Sequence, residues 1–170
     1  MHAVALLGVA PRATAFVPTI GGVDADDEVR GSEVTRYVSR VAQMPAVRAW
    51  VNGRVRALAE EYDVVVDGRD IGTVVFPEAT LKVFLVADPW ERARRRLAER
   101  LGRPASETEI AEETDQLVQR DARDATQTVQ ARDAILIDTT ALTQEEQVQR
   151  IVALVEVAIG RRASASRGEA

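Results

Sequence analysis

The chain has 170 residues, 46% of them hydrophobic and 29% charged, which suits one globular domain with a hydrophobic core. Its net charge of −5 argues against a general nucleic-acid-binding protein, which would usually be basic. There is no cysteine and one histidine, His2, so cysteine nucleophiles, disulfides and thiolate metal sites are excluded and histidine catalysis has almost no candidates. No apolar run approaches the about 18–20 residues of a membrane span, and the short apolar segment 3–10 lacks the basic residues of a secretion signal, which favours a cytoplasmic protein.

Residues 16–31 differ from the rest of the chain. Gly21 and Gly22, followed by the acidic run 24–28, break any helical period and predict a small loop-rich or antiparallel insertion. Further on, Pro45 fits the first turn of a helix. The apolar residues of this helix fall on one face: Val47, Val51, Val55 and Leu58.

Three apolar runs predict buried parallel strands, at residues 62–67, 81–87 and 134–138. Each run is rich in Val, Ile or Leu and ends in small or acidic residues. Helical patterns lie between and after these runs. Strands that alternate with helices predict an α/β fold with a parallel sheet and right-handed crossovers.

Two capping boxes mark the starts of helices in the second half of the chain. Ser106 with Glu109 opens one helix, and Thr143 with Glu146 opens another. The helix before them has an apolar stripe of Trp90, Ala93, Leu97 and Leu101. The helix after Ser106 has a stripe of Ile110, Thr114, Leu117 and Val118. The helix after Thr143 has an apolar stripe of Val148, Ile151, Val155 and Ile159.

The richest local pattern is the turn DGRD at residues 67–70, which directly follows three valines. Open α/β sheets bind ligands beyond the carboxyl ends of their strands, where this turn is predicted to lie. An arginine between two aspartates suits a ligand that has both an anionic group and hydrogen-bond donors, as a nucleotide does. We therefore interpret Asp67, Arg69 and Asp70 as candidate binding residues.

Arginine is also concentrated in the helix after the second predicted strand and in the loop that follows it. Glu91 lies four residues before Arg95, and Glu99 four before Arg103, so this helix taken alone is best interpreted as an ordinary ion-paired surface. Arg120 and Asp124 share one helix face, and the pair could be structural or functional. The arginines concerned are Arg92, Arg94, Arg95, Arg96, Arg100 and Arg103.

The segment DGRDIGTVVFP, residues 67–77, closely resembles the signature of bacterial cytidylate kinases, which transfer the terminal phosphoryl group of ATP to CMP or dCMP. The likeness extends from about residue 16 to 160 with its motifs in family order. It implies a P-loop nucleoside monophosphate kinase-like fold in one domain, 1–163, with an NMP-binding region at 16–48. The small and polar residues 164–170 predict a disordered tail. The resemblance also implies Mg²⁺ with ATP, CMP or dCMP as substrate, a monomer, and neither nucleic acid nor membrane as partner.

The resemblance assigns roles on the substrate side. In the family, residues matching Ser39 and Arg48 contact the cytosine base. Arg69 and Asp70 match residues that hold the substrate phosphate and sugar. A serine and an arginine at the base can reject the wrong base through hydrogen bonds left unmade.

It also assigns roles around the transferred phosphoryl group. Arg120 and Asp124 match residues near the phosphate and ribose. Arg95 and Arg96 match lid arginines that close over the phosphoryl group, and with Asp67 they are the catalytic candidates. Positioning and charge neutralisation dominate phosphoryl transfer, so arginines and a metal suffice without histidine or cysteine.

Two departures from the family are visible. The 170 residues contain no G-x-x-x-x-G-K-[ST] phosphate loop, and Lys82 is the only lysine. Gln127 stands where the family usually has a phosphate-contacting arginine, which predicts weaker binding of the CMP phosphate.

The first departure has several explanations: a misplaced start, a truncated gene or genuine loss of about the first third of a kinase. Two inner strands would then lack a partner, and residues 3–9 either fill part of that place or are a remnant helix or connector. A CMP-binding remnant without activity and an unstable fragment are the alternatives to an active kinase. No metal-ligating residues are predicted.

Overall fold

The computed structural model describes residues 7–11, 16–29, 31–125 and 128–168. It divides into two compact units, Met1–Tyr62 and Asp63–Ala170, where the sequence predicts a single domain. Among the described helices, none is long and apolar enough to cross a membrane.

The first unit contains a three-stranded antiparallel sheet in the order β1 (Leu7–Pro11), β2 (Phe16–Ile20) and β3 (Val23–Asp24). Gly21 and Gly22 form the two-residue turn between β2 and β3, with φ angles of 60° and 82°. A tight hairpin turn of this kind needs positive φ at both positions, which glycine adopts without strain. The predicted antiparallel insertion is confirmed. Residues 7–11 belong to this sheet, so they are neither a helix remnant nor a connector.

Three helices follow the sheet: α1 (Asp26–Val29), α2 (Ser32–Ala42) and α3 (Pro45–Glu61). Pro45 lies in the first turn of α3, as predicted, where its missing N–H group leaves no intrahelical hydrogen bond unmade. On the predicted apolar face, Val47, Val55 and Leu58 are half-buried and Val51 is exposed. No residue of α3 is fully buried.

The second unit contains a two-stranded parallel sheet of β4 (Val83–Val86) and β5 (Ile135–Asp138). Between the strands lie α4 (Pro89–Leu101) and α5 (Glu107–Asp124), and after them α6 (Gln144–Gly168). The strands predicted at 81–87 and 134–138 are confirmed in shorter form. Parallel pairing of strands that are separated by helices is the α/β arrangement that the sequence predicts.

The strand predicted at 62–67 is wrong, since residues 63–67 pair with no strand among the described residues. Val65 is 96% exposed and Val64 and Val66 are half-buried, so none of the three valines is fully buried. A strand is stable only when a neighbour accepts and donates its backbone hydrogen bonds. β-Branched composition alone therefore does not produce a strand here.

The core of the second unit lies between α4 and α5, where four apolar side chains are buried together. Asp88, a residue without a predicted role, caps α4, and Ser106 with Glu109 forms the predicted capping box of α5. Gly102 ends α4 with a φ of 63°, the left-handed conformation typical of a helix end. The buried core residues are Ala93, Leu97, Ile110 and Leu117.

Helix α6 also starts at its predicted capping box. The Glu146 carboxylate accepts hydrogen bonds from the N–H (2.8 Å) and the hydroxyl (2.9 Å) of Thr143. The helix runs through Gly168, so it includes most of the tail, 164–170, for which the sequence predicts disorder. Arginine and alanine, both strong helix formers, occupy residues 161–163 and 165 and favour this continuation.

Candidate functional site

The backbone of the DGRD turn is held by a π-helical turn, Ile71–Val75. The carbonyl of Asp70 accepts hydrogen bonds from the N–H groups of Thr73 (3.3 Å) and Val74 (2.8 Å), and that of Ile71 from Phe76 (2.7 Å). Such wide turns are rare and occur frequently at functional sites. The turn fixes the backbone that carries Arg69 and Asp70.

Gly72 allows this turn to pack closely. A Cβ atom at this position would lie 3.3 Å from Cδ of Lys82 and 3.6 Å from Cβ of Ala131. Lys82 itself is nearly buried and braces the start of β4, since its ammonium pairs with Asp133 (2.7 Å) and donates to the carbonyl of Pro77. The only lysine of the chain thus has a structural environment.

Five charged side chains from the turn, α4 and α5 form one cluster, which we call the arginine–aspartate cluster: Arg69, Arg92, Arg120, Asp121 and Asp124. The Arg69 Nε atom lies 3.0 Å from Asp124 Oδ2, and the Arg120 Nε atom lies 3.7 Å from the same oxygen. Arg92 donates to both oxygens of Asp121, with 3.2 Å between Nη2 and Oδ1. Three cations face two carboxylates, which leaves a net positive charge.

The electrostatics of the cluster follow from these contacts. The hydrogen bond from Arg92 lowers the pKa of Asp121 against the opposing effect of burial, and the charges of Arg92, Arg69 and Arg120 lower it further. The same hydrogen bond raises the pKa of Arg92. The Asp121 carboxylate therefore acts as a hydrogen-bond acceptor, and the excess of arginine in the cluster suits an anionic ligand.

The structure brings together three residues of the predicted site, Arg69, Arg120 and Asp124. It adds Arg92 and Asp121, to which the sequence assigns no role. Their pairing links two helices across 29 positions of the chain. The spacing of residues along the sequence does not predict such a contact, because the contact depends on how the two helices pack.

Arg96 lies on another part of the α4–α5 pair, beside a groove of about 270 Å³. Its Nε atom is 3.6 Å from Oε1 of Glu113, and Nη2 of Arg100 is 3.0 Å from Oε2 of the same carboxylate. The glutamate side chain is only 7% exposed. The groove is lined by Arg96, Arg100, Glu113, Gln116, Leu117, Gln119, Arg120 and Arg123.

Arg95 has a different environment from Arg96. Its Nη2 atom donates to the carbonyl groups of Thr139 (2.7 Å), Thr140 (3.0 Å) and Leu142 (3.1 Å). Its Nε atom donates to Glu91 at 2.8 Å. The guanidinium of Arg95 therefore fastens the loop after β5 to helix α4.

The ion pairs predicted along α4 are present in part. Glu91 pairs with Arg95 as its spacing predicts, and with Arg94 as well. Hydrogen bonds from Arg94 and Arg95 lower the pKa of Glu91, although its small burial opposes them. Arg103 pairs with Glu109 across the loop, at 2.7 Å.

Comparison with known proteins adds a family to this geometry. A family model described as cytidylate kinase matches residues 5–157. The cytidylate kinase of Geobacillus kaustophilus is 46% identical over 147 residues, which are 83% of this chain and 64% of the relative. The chain belongs to the cytidylate kinase family.

Two further relatives give the same result. The cytidylate kinase of Chromobacterium violaceum is 42% identical over 135 residues, 77% of this chain and 60% of that protein. That of Streptococcus pneumoniae is 40% identical over 141 residues, 81% of this chain and 63% of that protein. The chain therefore spans somewhat less than two thirds of the length of these cytidylate kinases.

The remaining predicted residues are placed as follows. Arg48 is half-buried on α3, in the unit Met1–Tyr62, whereas the arginine–aspartate cluster belongs to Asp63–Ala170. Asp67 is exposed and Asp70 half-buried. The side chain of Ser39 and the whole of Gln127 lie outside the described residues.

Cytidylate kinases belong to the nucleotide phosphoryl-transfer enzymes, and the resemblance implies Mg²⁺ with ATP. In the described part of the chain, no three side chains of the His, Cys, Asp or Glu type come together as a metal site. These residues do not build a cage for the ion themselves. Mg²⁺ usually keeps several waters and binds through one or two carboxylates together with substrate phosphates.

Proposed function

We propose that this chain carries the CMP side of a cytidylate kinase, which transfers a phosphoryl group from ATP to CMP or dCMP and yields ADP with CDP or dCDP. The observation that carries the proposal is the meeting of Arg69 and Arg120 at the carboxylate of Asp124. Arg69 in the DGRD turn and Arg120 near the end of α5 are 51 positions apart in the sequence, yet both lie at the same carboxylate. Family membership supports the same substrate class.

The proposed chemistry needs no covalent intermediate. Arg69 and Arg120 would hold the CMP phosphate with their planar guanidinium groups, which match phosphate geometry. The Asp124 carboxylate would accept hydrogen bonds from the ribose and keep both arginines oriented before the substrate arrives. Fixed cations of this kind stabilise the charge that develops on the transferred group.

Base selection is proposed for two residues that match base-contacting residues of the family. Ser39 and Arg48, on α2 and α3, would bond the cytosine edge, as the resemblance implies. A base with a different donor and acceptor pattern would leave these polar groups unpaired, which lowers its affinity. On the ATP side, Arg96 would close over the phosphoryl group together with the neighbouring groove arginines.

Binding of CMP to the purified chain, measured by isothermal titration calorimetry, tests the proposal. The variant Arg69→Gln is expected to weaken CMP binding at least about tenfold, equivalent to about 1.4 kcal/mol. Arg150→Gln removes the same charge from an exposed position on α6 and serves as the control, with less than about a twofold change. Equal affinity of wild type and Arg69→Gln would contradict the proposal.

A second candidate is a CMP-binding protein without kinase activity. It is favoured by the absence of a G-x-x-x-x-G-K-[ST] loop from the 170 residues, because that loop cradles the phosphates of ATP. Incubation with CMP, ATP and Mg²⁺, followed by detection of CDP, separates the two candidates. CMP binding without CDP formation supports the second.

The third alternative from the sequence, an unstable fragment, has its own signature. Dye binding together with a non-cooperative thermal transition would support it, whereas a cooperative transition that CMP raises would exclude it. The predicted cytoplasmic location and monomeric state remain predictions.

A further inference from the structure

Glu113 occupies an unusual position for an acidic residue. Its side chain is 7% exposed, whereas those of its partners Arg96 and Arg100 are 48% and 59% exposed. The two arginines lie four residues apart on α4 and reach the same carboxylate on α5, at 3.6 Å and 3.0 Å. Glu113 thus joins the two helices beneath the groove that both arginines line.

We propose that Glu113 is a positioning residue that holds Arg96 and Arg100 ready to bind the polyphosphate chain of a nucleotide in the α4–α5 groove. The proposal rests on the proposed function, in which Arg96 closes over the transferred phosphoryl group. It extends that function to Arg100, and to a carboxylate that acts only through the two arginines.

The charges of the groove support a polyanionic ligand. Four arginines line it, and Glu113 is the only acidic residue among its lining side chains. Gln116 and Gln119 add neutral hydrogen-bonding groups. A single phosphate would need only one or two of these cations, whereas a chain of phosphates can use several.

The burial of Glu113 supports a positioning role. A buried carboxylate is unfavourable unless its oxygens are paired, so the fold itself favours the conformations in which both arginines reach it. Arginine side chains that are already ordered lose less freedom when a ligand binds. The groove is then prepared for an anion before the anion arrives.

A positioning role and a simple charge effect predict opposite changes in anion binding when Glu113 is neutralised. If Glu113 were merely a negative charge near the groove, its neutralisation would strengthen the binding of an anion. If it positions Arg96 and Arg100, its neutralisation weakens binding, because two long side chains lose their fixed geometry. The direction of the change therefore decides between the two.

The probe is inorganic tripolyphosphate, titrated into the full chain by calorimetry. Glu113→Gln keeps the shape of the side chain and is expected to weaken tripolyphosphate binding at least fivefold. Glu112→Gln makes the same charge change one position away, on an exposed site of α5, and is expected to change it less than twofold. Unchanged or tighter binding to Glu113→Gln overturns the proposal, as does a wild-type chain that does not bind tripolyphosphate.

A double-mutant cycle separates positioning from a general loss of structure. In the background Arg96→Gln with Arg100→Gln, adding Glu113→Gln is expected to have no further effect on tripolyphosphate binding. An additional loss of the same size in that background overturns the proposal. The Nε–Hε NMR signals of Arg96 and Arg100 should shift on titration in wild type and lose that shift in Glu113→Gln.

A parallel measurement of CMP binding distinguishes failure of the positioning role from failure of the proposed function. Glu113→Gln should bind CMP as the wild type does, because Glu113 pairs with Arg96 and Arg100, whereas Arg69 and Arg120 pair with Asp124. If CMP and tripolyphosphate binding fall together, Glu113 supports the fold and the positioning role is refuted. If CMP fails to bind the wild type while tripolyphosphate binding shows the predicted loss, the proposed function fails and the positioning role stands.

Discussion

The α4–α5 pair and the segment 63–67 are both rich in aliphatic residues, but only the helices bury theirs. Leu97 on α4 is 3% exposed, whereas Val65 is 96% exposed. A helix needs backbone hydrogen bonds and an apolar surface to pack against. It makes the hydrogen bonds within itself, and α5, which follows α4 after five residues, provides the surface. A strand needs a partner, and the described residues supply none to 63–67. Apolar composition alone therefore predicts neither burial nor a strand.

The charged residues of the helix pair also contribute contacts between the two helices. Arg92 and Arg100 on α4, and Arg103 in the loop after it, each pair with a carboxylate on α5. These pairs lie over a small apolar core and add directional contacts to it. The helix pair is thus the most completely specified part of the second unit.

The largest expected effect is at the centre of the helix pair. Leu97→Ala should lower the free energy of unfolding by about 2–5 kcal/mol, because it removes buried apolar contacts and leaves a cavity. Leu101→Ala, one turn later on α4 and 37% exposed, is the matched control and should cost clearly less. Urea unfolding followed by circular dichroism measures both. Equal losses at the two positions would show that the core does not lie between α4 and α5.

A smaller effect is expected at the start of α5. Ser106→Ala removes the acceptor for the N–H of Glu109 and should cost about 1 kcal/mol. Thr108→Ala, at an exposed position in the same turn, should cost less, since it leaves the cap intact. Urea unfolding again provides the comparison. A larger loss at Thr108 than at Ser106 would contradict the role of the capping box.

The sequence predicts those elements of the fold whose signals are local. Pro45, Ser106 and Thr143 mark helix starts because caps and first turns involve residues only a few positions apart. Strand β1 is not predicted, because its five residues, LGVAP, show no alternation and pair with a separate strand, β2. The valines at 64–66 wrongly predict a strand, because they have the composition of a strand but no described strand pairs with them.

The candidate site shows the same limit. Arg120 and Asp124 are predictable from their spacing of four, whereas Asp121 with Arg92 and Glu113 with Arg100 depend on how two helices face each other. Adjacent residues on a helix point about 100° apart, which follows from 3.6 residues per turn. Adjacent arginines therefore need not share a role: Arg95 holds the loop after β5, whereas Arg96 faces Glu113.

The stability of the helix pair is expected to depend on pH through Glu109 at the start of α5. Hydrogen bonds from Arg103 and from Ser106 lower the pKa of Glu109 from 4.5 to about 2. Because the folded-state pKa is the lower one, this carboxylate stabilises the fold above pH 4.5, and the contribution is lost as the pH falls from there towards 2. The difference in melting temperature between wild type and Glu109→Gln should be constant near neutral pH and shrink below pH 4.5.

Salt gives the control for this measurement. Glu109 and Arg103 are both exposed to solvent, so added salt should reduce the ion-pair part of the difference at neutral pH. The hydrogen bonds to Ser106 should persist in salt. A difference in melting temperature that grows as the pH falls would refute the assignment of the lowered pKa to Glu109.

The smallest effect is expected in segment 63–67, where Val65→Ser should change the free energy of unfolding by no more than about 0.5 kcal/mol. The reason is exposure: a side chain that is 96% exposed loses almost no buried contact when it becomes polar. Val75→Ser is the matched substitution in the π-helical turn, where the valine is 3% exposed, and it should cost several times more. If urea unfolding gives the two variants the same loss, then Val65 is packed in solution, and the contrast between this segment and the helix pair is wrong.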